Sequence, residues 1–136
     1  MAAIVSFVGK SGTGKTTLIE AAIKELKKKG FRVAVIKHAH HGFEMDKPGK
    51  DTWRFAQAGS DMVLVSSPGR VAIIEQVSDE LSYEEAIGRV YGNVDIILVE
   101  GFKQSSKVKV EVTGTERGDD VLKVVDFLVD QIKKSQ

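Results

Sequence analysis

The chain has 136 residues, of which 42% are apolar and 29% charged, an ordinary composition for a soluble globular protein. It contains no cysteine, which excludes a disulfide framework, a thiolate metal site and a cysteine nucleophile. No run of about 18 apolar residues is present, so no membrane association is expected, and a net charge of +1 gives no reason to expect nucleic acid as a partner. We expect one domain over residues 1–136 and a cytoplasmic location, because the N-terminus lacks a signal-peptide pattern.

The charges are distributed unevenly along the chain. Residues 1–50 hold ten Lys or Arg against four acidic residues, whereas residues 51–136 hold ten against fifteen. A basic first half suits an anionic ligand. Chance clustering, as in the lysine run at residues 27–29, explains the charge balance equally well, so the ligand has to be identified from motifs.

The first 36 residues predict a βαβ unit. Residues 3–8 form a short apolar run of strand type, residues 14–29 follow helical spacing, and residues 31–36 return to a β-branched apolar run. Such a crossover joins two parallel strands of one sheet. The predicted apolar face of the helix consists of Leu18, Ile19, Ala22, Ile23 and Leu26.

The middle of the chain predicts a polar loop and a hairpin. Residues 37–50 form the loop, and a short helix is expected over residues 51–58. Two strands, residues 61–65 and 71–76, are separated by a Ser-Ser-Pro-Gly turn, which indicates a hairpin-like connection.

The last third predicts helix, strand, strand and helix. Ser82 and Glu85 have the spacing of a capping box, which opens a helix that ends near residue 91. Residues 94–99 are the most apolar strand and should be central, while residues 107–112 alternate as a half-exposed strand does. A final helix is expected over residues 119–134. Its predicted apolar stripe consists of Leu122, Val125, Val129 and Ile132.

The turn after the first strand has the spacing G-x-x-x-x-G-K-[ST] of a phosphate-binding loop, here called the P-loop. It consists of Gly9, Lys10, Ser11, Gly12, Thr13, Gly14, Lys15 and Thr16, and Thr17 follows it. Glycines let backbone N–H groups turn towards phosphate oxygens, Lys15 supplies charge for the β- and γ-phosphates, and the Thr16 hydroxyl suits Mg²⁺. The motif predicts an α/β, three-layer P-loop NTPase fold with a mostly parallel central sheet and a β-hairpin insertion.

Acidic residues are needed near Mg²⁺ to position the ion or a water molecule. Glu100 ends the apolar strand at residues 94–99, and in a parallel sheet this end lies on the ligand-binding edge. Asp95 lies at the opposite end, which favours a structural role. Asp46 and Asp51 are candidates for a second carboxylate, although Asp51 could equally serve as the N-cap of the short helix.

The polar loop contains His38, His40 and His41, a cluster that raises the question of a transition-metal site. Because the chain lacks cysteine and the loop emerges beside the P-loop, contact with phosphate or with a second ligand is the favoured interpretation. The sequence assigns no definite role to the three histidines.

Taken together, these segments resemble the MobB family, molybdopterin-guanine dinucleotide biosynthesis protein B, a P-loop NTPase family of the dimeric SIMIBI type. The matching segments are GTGKTTL at 12–18, KHAHH at 37–41, DKPGKDTWR at 46–54, AGSD at 58–61 and LVEGFK at 98–103. They occur in the family's order. The central loop is far more specific than the P-loop pattern.

The resemblance implies a GTP-binding, Mg²⁺-dependent, homodimeric accessory protein with weak GTP hydrolysis. Family members assist the guanylyltransferase that attaches GMP to molybdopterin, and molybdopterin is a further candidate ligand. Carried over to this chain, residues 12–17 would hold phosphate and Mg²⁺. Asp46, Asp51 and Glu100 would act around the γ-phosphate, with Thr16, Asp51 and Glu100 near the metal.

Two features depart from the family pattern. Lys10 brings the P-loop close to the form found in related dimeric ATPases, where this lysine reaches the partner subunit's nucleotide. A solvated side chain is the alternative role for Lys10 in this chain. The chain is also short after residue 103, where family members have a further strand and a segment that could face the base. GTP as the ligand therefore rests on the resemblance, and ATP is not excluded.

Two other functions of the P-loop class compete with the accessory role. A small-molecule kinase or ligase would transfer phosphate to a metabolite, although the chain offers no obvious acceptor domain. A binding-only switch module would bind nucleotide tightly without turnover. A substrate screen tests the first alternative, and Mg²⁺-dependent hydrolysis tests the second.

Overall fold

The computed structural model describes residues 1–10, 12–39, 42–43, 45, 47–102 and 107–136. The chain divides into two compact units, residues 1–40 with 81–136 and residues 41–80. The first unit contains β1 (Ala3–Val8), α1 (Lys15–Lys28), β2 (Val33–Lys37), α3 (Tyr83–Val90), a 3₁₀ turn (Tyr91–Asn93), β5 (Ile96–Glu100), β6 (Lys109–Glu111) and α4 (Gly118–Ser135). The second unit contains α2 (Asp51–Gln57), β3 (Met62–Ser66) and β4 (Val71–Glu75).

A parallel sheet of four strands in the order β2-β5-β1-β6 forms the centre of the first unit. All of its pairings are parallel, so the strands' carboxyl ends share one edge. The first four residues of β5 are buried, as expected for a strand covered on both faces. The prediction of a central strand near residues 94–99 is confirmed.

Helices cover both faces of this sheet. On one face α1 and α4 close a core that contains Phe7, Leu98 and Leu128, and on the other α3 contributes Tyr83 and Ile87 to a smaller core. Removing each such aliphatic or aromatic side chain from water contributes about 1.5–3 kcal/mol. The three-layer α/β architecture predicted from the sequence is therefore confirmed.

The apolar face of α1 was predicted correctly, and that of α4 was predicted in part, because Val125, Val129 and Ile132 pack against the core but Leu122 does not. Leu18, Ile19, Ala22 and Leu26 are buried along α1, and Ile23 is partly buried. The buried line of α4 consists of Val125, Leu128 and Ile132, while Leu122 is 55% exposed. Within the described part of the chain, no helix is long and apolar enough to span a bilayer.

The second unit contains the predicted β-hairpin. Strands β3 and β4 pair antiparallel, with Met62 opposite Glu75, Leu64 opposite Ile73 and Ser66 opposite Val71. Cross-strand pairs of this kind lie on one face of a hairpin. Four large apolar side chains on this face, Met62, Leu64, Val71 and Ile73, are between 51% and 62% exposed.

The capping box that opens α3 is present as predicted. The Ser82 hydroxyl accepts the Glu85 amide at 3.1 Å, and the Glu85 carboxylate accepts the Ser82 amide at 3.0 Å. The hydrogen bond from the Ser82 backbone amide, followed by that to the Ser82 side chain, lowers the pKa of Glu85 below its usual 4.5. The charged carboxylate therefore stabilises the start of this helix.

A pH dependence follows from this lowered pKa. The stabilisation is fully present above the pKa of Glu85 in the unfolded chain and is lost as the pH falls through the lower, folded-state pKa. We expect Glu85→Gln, which keeps a hydrogen-bonding side chain without its charge, to be less stable than the wild type near neutral pH. Urea unfolding at several pH values should show this difference disappearing in acid, and a difference independent of pH would contradict the assignment.

Candidate functional site

The carboxyl ends of β1, β2 and β5 surround one cavity of about 520 Å³. The P-loop lines one side of it with Gly9, Gly12, Gly14, Lys15 and Thr16. The ends of β2 and β5 line the other side with Lys37, His38, Glu100, Gly101 and Phe102. The cavity therefore lies at the sheet edge where the sequence placed the ligand.

The P-loop follows β1 and leads directly into α1. Gly12 and Gly14 have φ of +81° and +84°, in the left-handed region that favours glycine. Gly14 is the N-cap of α1, and its carbonyl accepts the Leu18 amide at 3.1 Å. Among the described residues, no side chain caps this helix start and no acidic residue lies in its first turn, so the amides there suit an anion such as phosphate.

Position 9 requires glycine because a side chain would not fit there. The backbone conformation does not impose this requirement, because the φ of Gly9 lies outside the left-handed region. A Cβ atom at this position would lie 2.6 Å from the Val112 carbonyl oxygen. The Val112 amide in turn donates to the Val8 carbonyl at 2.7 Å. The residue after β6 thus closes one flank of the P-loop, and any side chain at position 9 would push it away.

Lys15 and Glu100 form an ion pair inside the cavity. The Lys15 Nζ lies 3.6 Å from Glu100 Oε1 and donates a hydrogen bond to the Gly9 carbonyl oxygen at 2.7 Å. The two side chains are only 17% and 16% exposed. The sequence placed both residues on one edge, and the structure brings their charges together.

The ends of β2 and β5 fit closely against each other. Lys37 is the register partner of Glu100, and the His38 amide donates to the Glu100 carbonyl at 2.9 Å. The His38 ring stacks on Phe102 with centroids 4.7 Å apart. Gly101 has a φ of +97°, and a Cβ atom there would lie 2.5 Å from the His38 carbonyl oxygen.

The turn after β6 continues along the same flank of the P-loop as Val112. Glu116 accepts hydrogen bonds from the amides of Thr113 and Gly114 at 2.6 and 3.0 Å. The bond from the Thr113 backbone is the main reason that the pKa of Glu116 lies below its usual value. A Cβ atom on Gly114 would lie 3.5 Å from the carbonyl oxygen of Thr13, so this turn and the P-loop are neighbours.

Some of the predicted site residues line the cavity and others do not. Glu100 and Thr16 line the cavity with the P-loop glycines and Lys15; Lys10 and Thr13 shape the loop, because the Thr13 hydroxyl donates to the Lys10 carbonyl at 2.6 Å. Thr17 is an exposed residue in the first turn of α1. Ser11, Asp46, His40 and His41 lie outside the described residues.

Asp51 belongs to the second unit, residues 41–80. It is the first residue of α2 and not the N-cap, which is Lys50. Its carboxylate accepts the Thr52 amide at 2.7 Å, and an acid in the first turn also complements the helix dipole. Its role near a metal ion stays a prediction.

Asp95 has the structural role that the sequence favoured. Its carboxylate accepts the Arg32 amide at 2.7 Å, and its own amide donates to the Arg32 carbonyl at 2.8 Å. These bonds join the chain before β2 to the chain before β5, away from the cavity. They help to fix the register that later brings Lys37 beside Glu100.

Apart from Phe7 and Val8 at the end of β1, the cavity is lined by four residues that were not among the predicted site residues: Lys37, His38, Gly101 and Phe102. The signal that could have found them is their position at the carboxyl ends of two predicted parallel strands. The sequence did place Lys37 and His38 at this edge but gave them no role. The proximity of Gly101 to His38 depends on β2 and β5 being neighbours, which is a long-range pairing.

Comparison with known proteins identifies the family. The sequence profile described as molybdopterin guanine dinucleotide synthesis protein B matches residues 4–130. The chain is 41% identical over 108 residues to the molybdopterin-guanine dinucleotide biosynthesis adapter protein of Haemophilus influenzae, covering 79% of this chain and 61% of that protein. It is 39% identical over 113 residues to the protein of the same name from Escherichia coli, covering 81% and 65%. The chain thus spans less than two thirds of the length of these relatives.

A solved structure agrees with this comparison. The crystal structure of molybdopterin-guanine biosynthesis protein B (mobB) superposes with a TM-score of 0.71 at 26% identity, covering 96% of this chain and 99% of that one. The family profile covers most of the chain, from β1 into α4. The chain therefore belongs to the MobB family, the molybdopterin guanine dinucleotide synthesis protein B family.

Proposed function

We propose that this chain is an adapter protein of molybdopterin-guanine dinucleotide synthesis that binds Mg-GTP at its P-loop. The observation that carries the proposal is the cavity in which Lys15, Thr16 and Glu100 meet at the amino end of α1. Its glycine backbone, its two lysines and the start of α1 at Gly14 suit a polyphosphate. The adapter role is supported by the family and by the names of the two bacterial relatives.

The donor atoms of the cavity fit Mg²⁺. Thr16 offers a hydroxyl and Glu100 a carboxylate, the hard oxygen ligands that this ion takes together with phosphate and water. Among the described residues, no group of three or more His, Cys, Asp or Glu side chains could hold a metal by itself. Thr16 and Glu100 would hold Mg²⁺ at this position, and the ion would supply positive charge that offsets the charge of the phosphates.

Weak hydrolysis is part of the proposal. Lys15 would hold the β- and γ-phosphates and stabilise the charge that develops on them, while Glu100 would orient the ion or a water molecule. Of the three predicted acids, Glu100 lines the cavity, Asp51 belongs to the second unit and Asp46 lies outside the described residues. Among the described residues, Glu100 is the one carboxylate that lines the cavity, and slow turnover is what the family resemblance implies.

A homodimer is proposed on two grounds. The first is the family, whose P-loop type is dimeric. The second is the exposed face of the β3–β4 hairpin, where Leu64 and Ile73 face each other across the strands with more than half of their surfaces exposed. A two-stranded sheet is marginally stable alone, and a contiguous apolar face is what association between copies would cover.

Association with the guanylyltransferase tests the adapter role. We expect the chain to bind the enzyme that attaches GMP to molybdopterin, with an affinity that rises when Mg-GTP is present. The measurement is a calorimetric or interferometric titration with and without Mg-GTP, on protein whose mass has first been determined by light scattering. No association under either condition would contradict the adapter role. If the chain still bound nucleotide, only the proposal of Mg-GTP binding at the P-loop would remain.

A further inference from the structure

The ion pair between Lys15 and Glu100 has a consequence for ligand choice. Lys15 Nζ lies 3.6 Å from Glu100 Oε1 and 2.7 Å from the Gly9 carbonyl oxygen, so this cation already has two anionic or dipolar partners. A polyphosphate entering the cavity would have to share Lys15 with Glu100. It would also approach the negative charge of the carboxylate itself.

The Lys15–Glu100 pair is screened by solvent less than an exposed ion pair is, so its charges act more strongly on a bound ligand. A similar pair on α1, Glu20 with Lys24 at 3.7 Å, has side chains that are 67% and 70% exposed, and solvent screens it. The Lys15 and Glu100 side chains are 17% and 16% exposed, so less water lies between them and a ligand. Lys37, the register partner of Glu100, adds a second cation to the lining of the same cavity.

The Glu100 carboxylate therefore weakens the binding of the free triphosphate and strengthens the binding of its magnesium complex. A free triphosphate carries several negative charges, so Glu100 repels it and competes with it for Lys15. The magnesium complex presents a cation to which a carboxylate oxygen is attracted. Glu100 should then turn from a competitor into a ligand, leaving Lys15 to the phosphates.

We infer that Glu100 makes this site select the magnesium complex of a nucleoside triphosphate over the free triphosphate, through its competition for Lys15. The inference rests on the proposed function, because it concerns the same cavity. It goes further in assigning the selection to one carboxylate. Thr16, the other proposed metal ligand, is uncharged and would contribute only to binding the complex.

The test is a set of dissociation constants measured on the full chain for GTP and inorganic tripolyphosphate, each with excess Mg²⁺ and with excess EDTA. Glu100→Gln should bind the Mg²⁺-free ligands about tenfold more tightly than the wild type, the size of one 1.4 kcal/mol interaction. The same variant should bind the magnesium complexes less tightly. Both changes should lower the ratio of the affinity for the magnesium complex to the affinity for the free ligand.

Three further variants control this experiment. Glu20→Gln removes a carboxylate from the exposed pair on α1 and should leave the preference unchanged. Glu100→Asp retains the charge and should retain most of the discrimination against the free ligands. Glu100→Ala removes the same charge as the Gln variant, and it replaces that variant if circular dichroism shows the latter to be unfolded.

Each outcome decides between the hypotheses. Unchanged or weaker binding of the Mg²⁺-free ligands by both neutral variants would overturn the inference while leaving the proposed nucleotide binding intact. Binding of Mg-tripolyphosphate with the expected response, but no binding of GTP, would support the inference and reject GTP as the ligand. No binding of any probe by the wild type would overturn both.

Discussion

Replacing Lys15 by alanine is expected to weaken Mg-GTP binding about hundredfold, because each charge-assisted hydrogen bond contributes about 1.5–3 kcal/mol. The Lys15 ammonium lies in the cavity, bonded to the Gly9 carbonyl and paired with Glu100, and it points away from the hydrophobic cores. The loss should therefore appear in binding and not in folding. Calorimetric titration with Mg-GTP measures it directly.

The fold of this variant should persist. Lys15 belongs to neither hydrophobic core, so its replacement removes one hydrogen bond and one ion pair but no core packing, and the free energy of unfolding should fall by only about 1 kcal/mol. The matched control is Lys24→Ala, on the same helix and also paired with a glutamate, whose side chain is 70% exposed. Wild-type affinity in Lys15→Ala would disprove the P-loop assignment, and equal losses in both variants would point to general electrostatics.

Periodicity explains why most elements could be predicted. Strand β1 has the predicted bounds, and the other strands and helices lie within about two residues of theirs, as expected where a pattern is strong. The apolar face of α1 is unambiguous, because polar residues fill its other side. Helix α4 has apolar residues on several sides, so periodicity did not distinguish Leu122, which is exposed, from Leu128, which is buried.

The strand order could not be read in the same way. Strands β1 and β2 are consecutive in the βαβ unit, but β5 lies between them and pairs with both. That arrangement depends on contacts between residues more than 60 positions apart, to which local spacing is insensitive. The interactions of Glu100 with Lys15 and of His38 with Phe102 follow from it, so sequence analysis could identify the edge but not these contacts.

Asp51 illustrates another limit of motif reasoning. An acid that follows a polar loop and opens a helix fits a metal ligand, an N-cap or a first-turn residue equally well. The structure gives it a hydrogen bond to the Thr52 amide in the first turn of α2. The motif alone could not assign its role. For Glu100 the sequence predicted the position, at the carboxyl end of a buried parallel strand, and that end lines the cavity.

The second large effect is expected at the junction of β2 and β5. Gly101→Ala should lower the free energy of unfolding by about 3 kcal/mol, the sum of strain at positive φ and of overpacking. The φ at this position is +97°, and the added Cβ would lie 2.5 Å from the His38 carbonyl oxygen. Because that contact is with backbone, no side-chain rotation can relieve it. Urea denaturation measures the loss.

Two glycines elsewhere separate the causes of this loss. Gly30 has a φ of +89° with open space around it, so Gly30→Ala should show the strain alone, about 1 kcal/mol or slightly more. Gly88 lies within α3 with open space and no positive φ, so Gly88→Ala should be neutral or stabilising. If Gly101→Ala cost no more than Gly30→Ala, the close fit of β2 against β5 would be wrong.

The same variant links the fold to the site. To accommodate a methyl group at position 101, the end of β2 must move away from β5, which breaks the bond from the His38 amide to the Glu100 carbonyl. Glu100 would then lose its fixed position relative to Lys15. Gly101→Ala should therefore also reduce the preference for Mg-GTP over free GTP, whereas Gly30→Ala should leave it unchanged. An unaltered preference in a folded Gly101→Ala protein would show that the position of Glu100 does not depend on this junction.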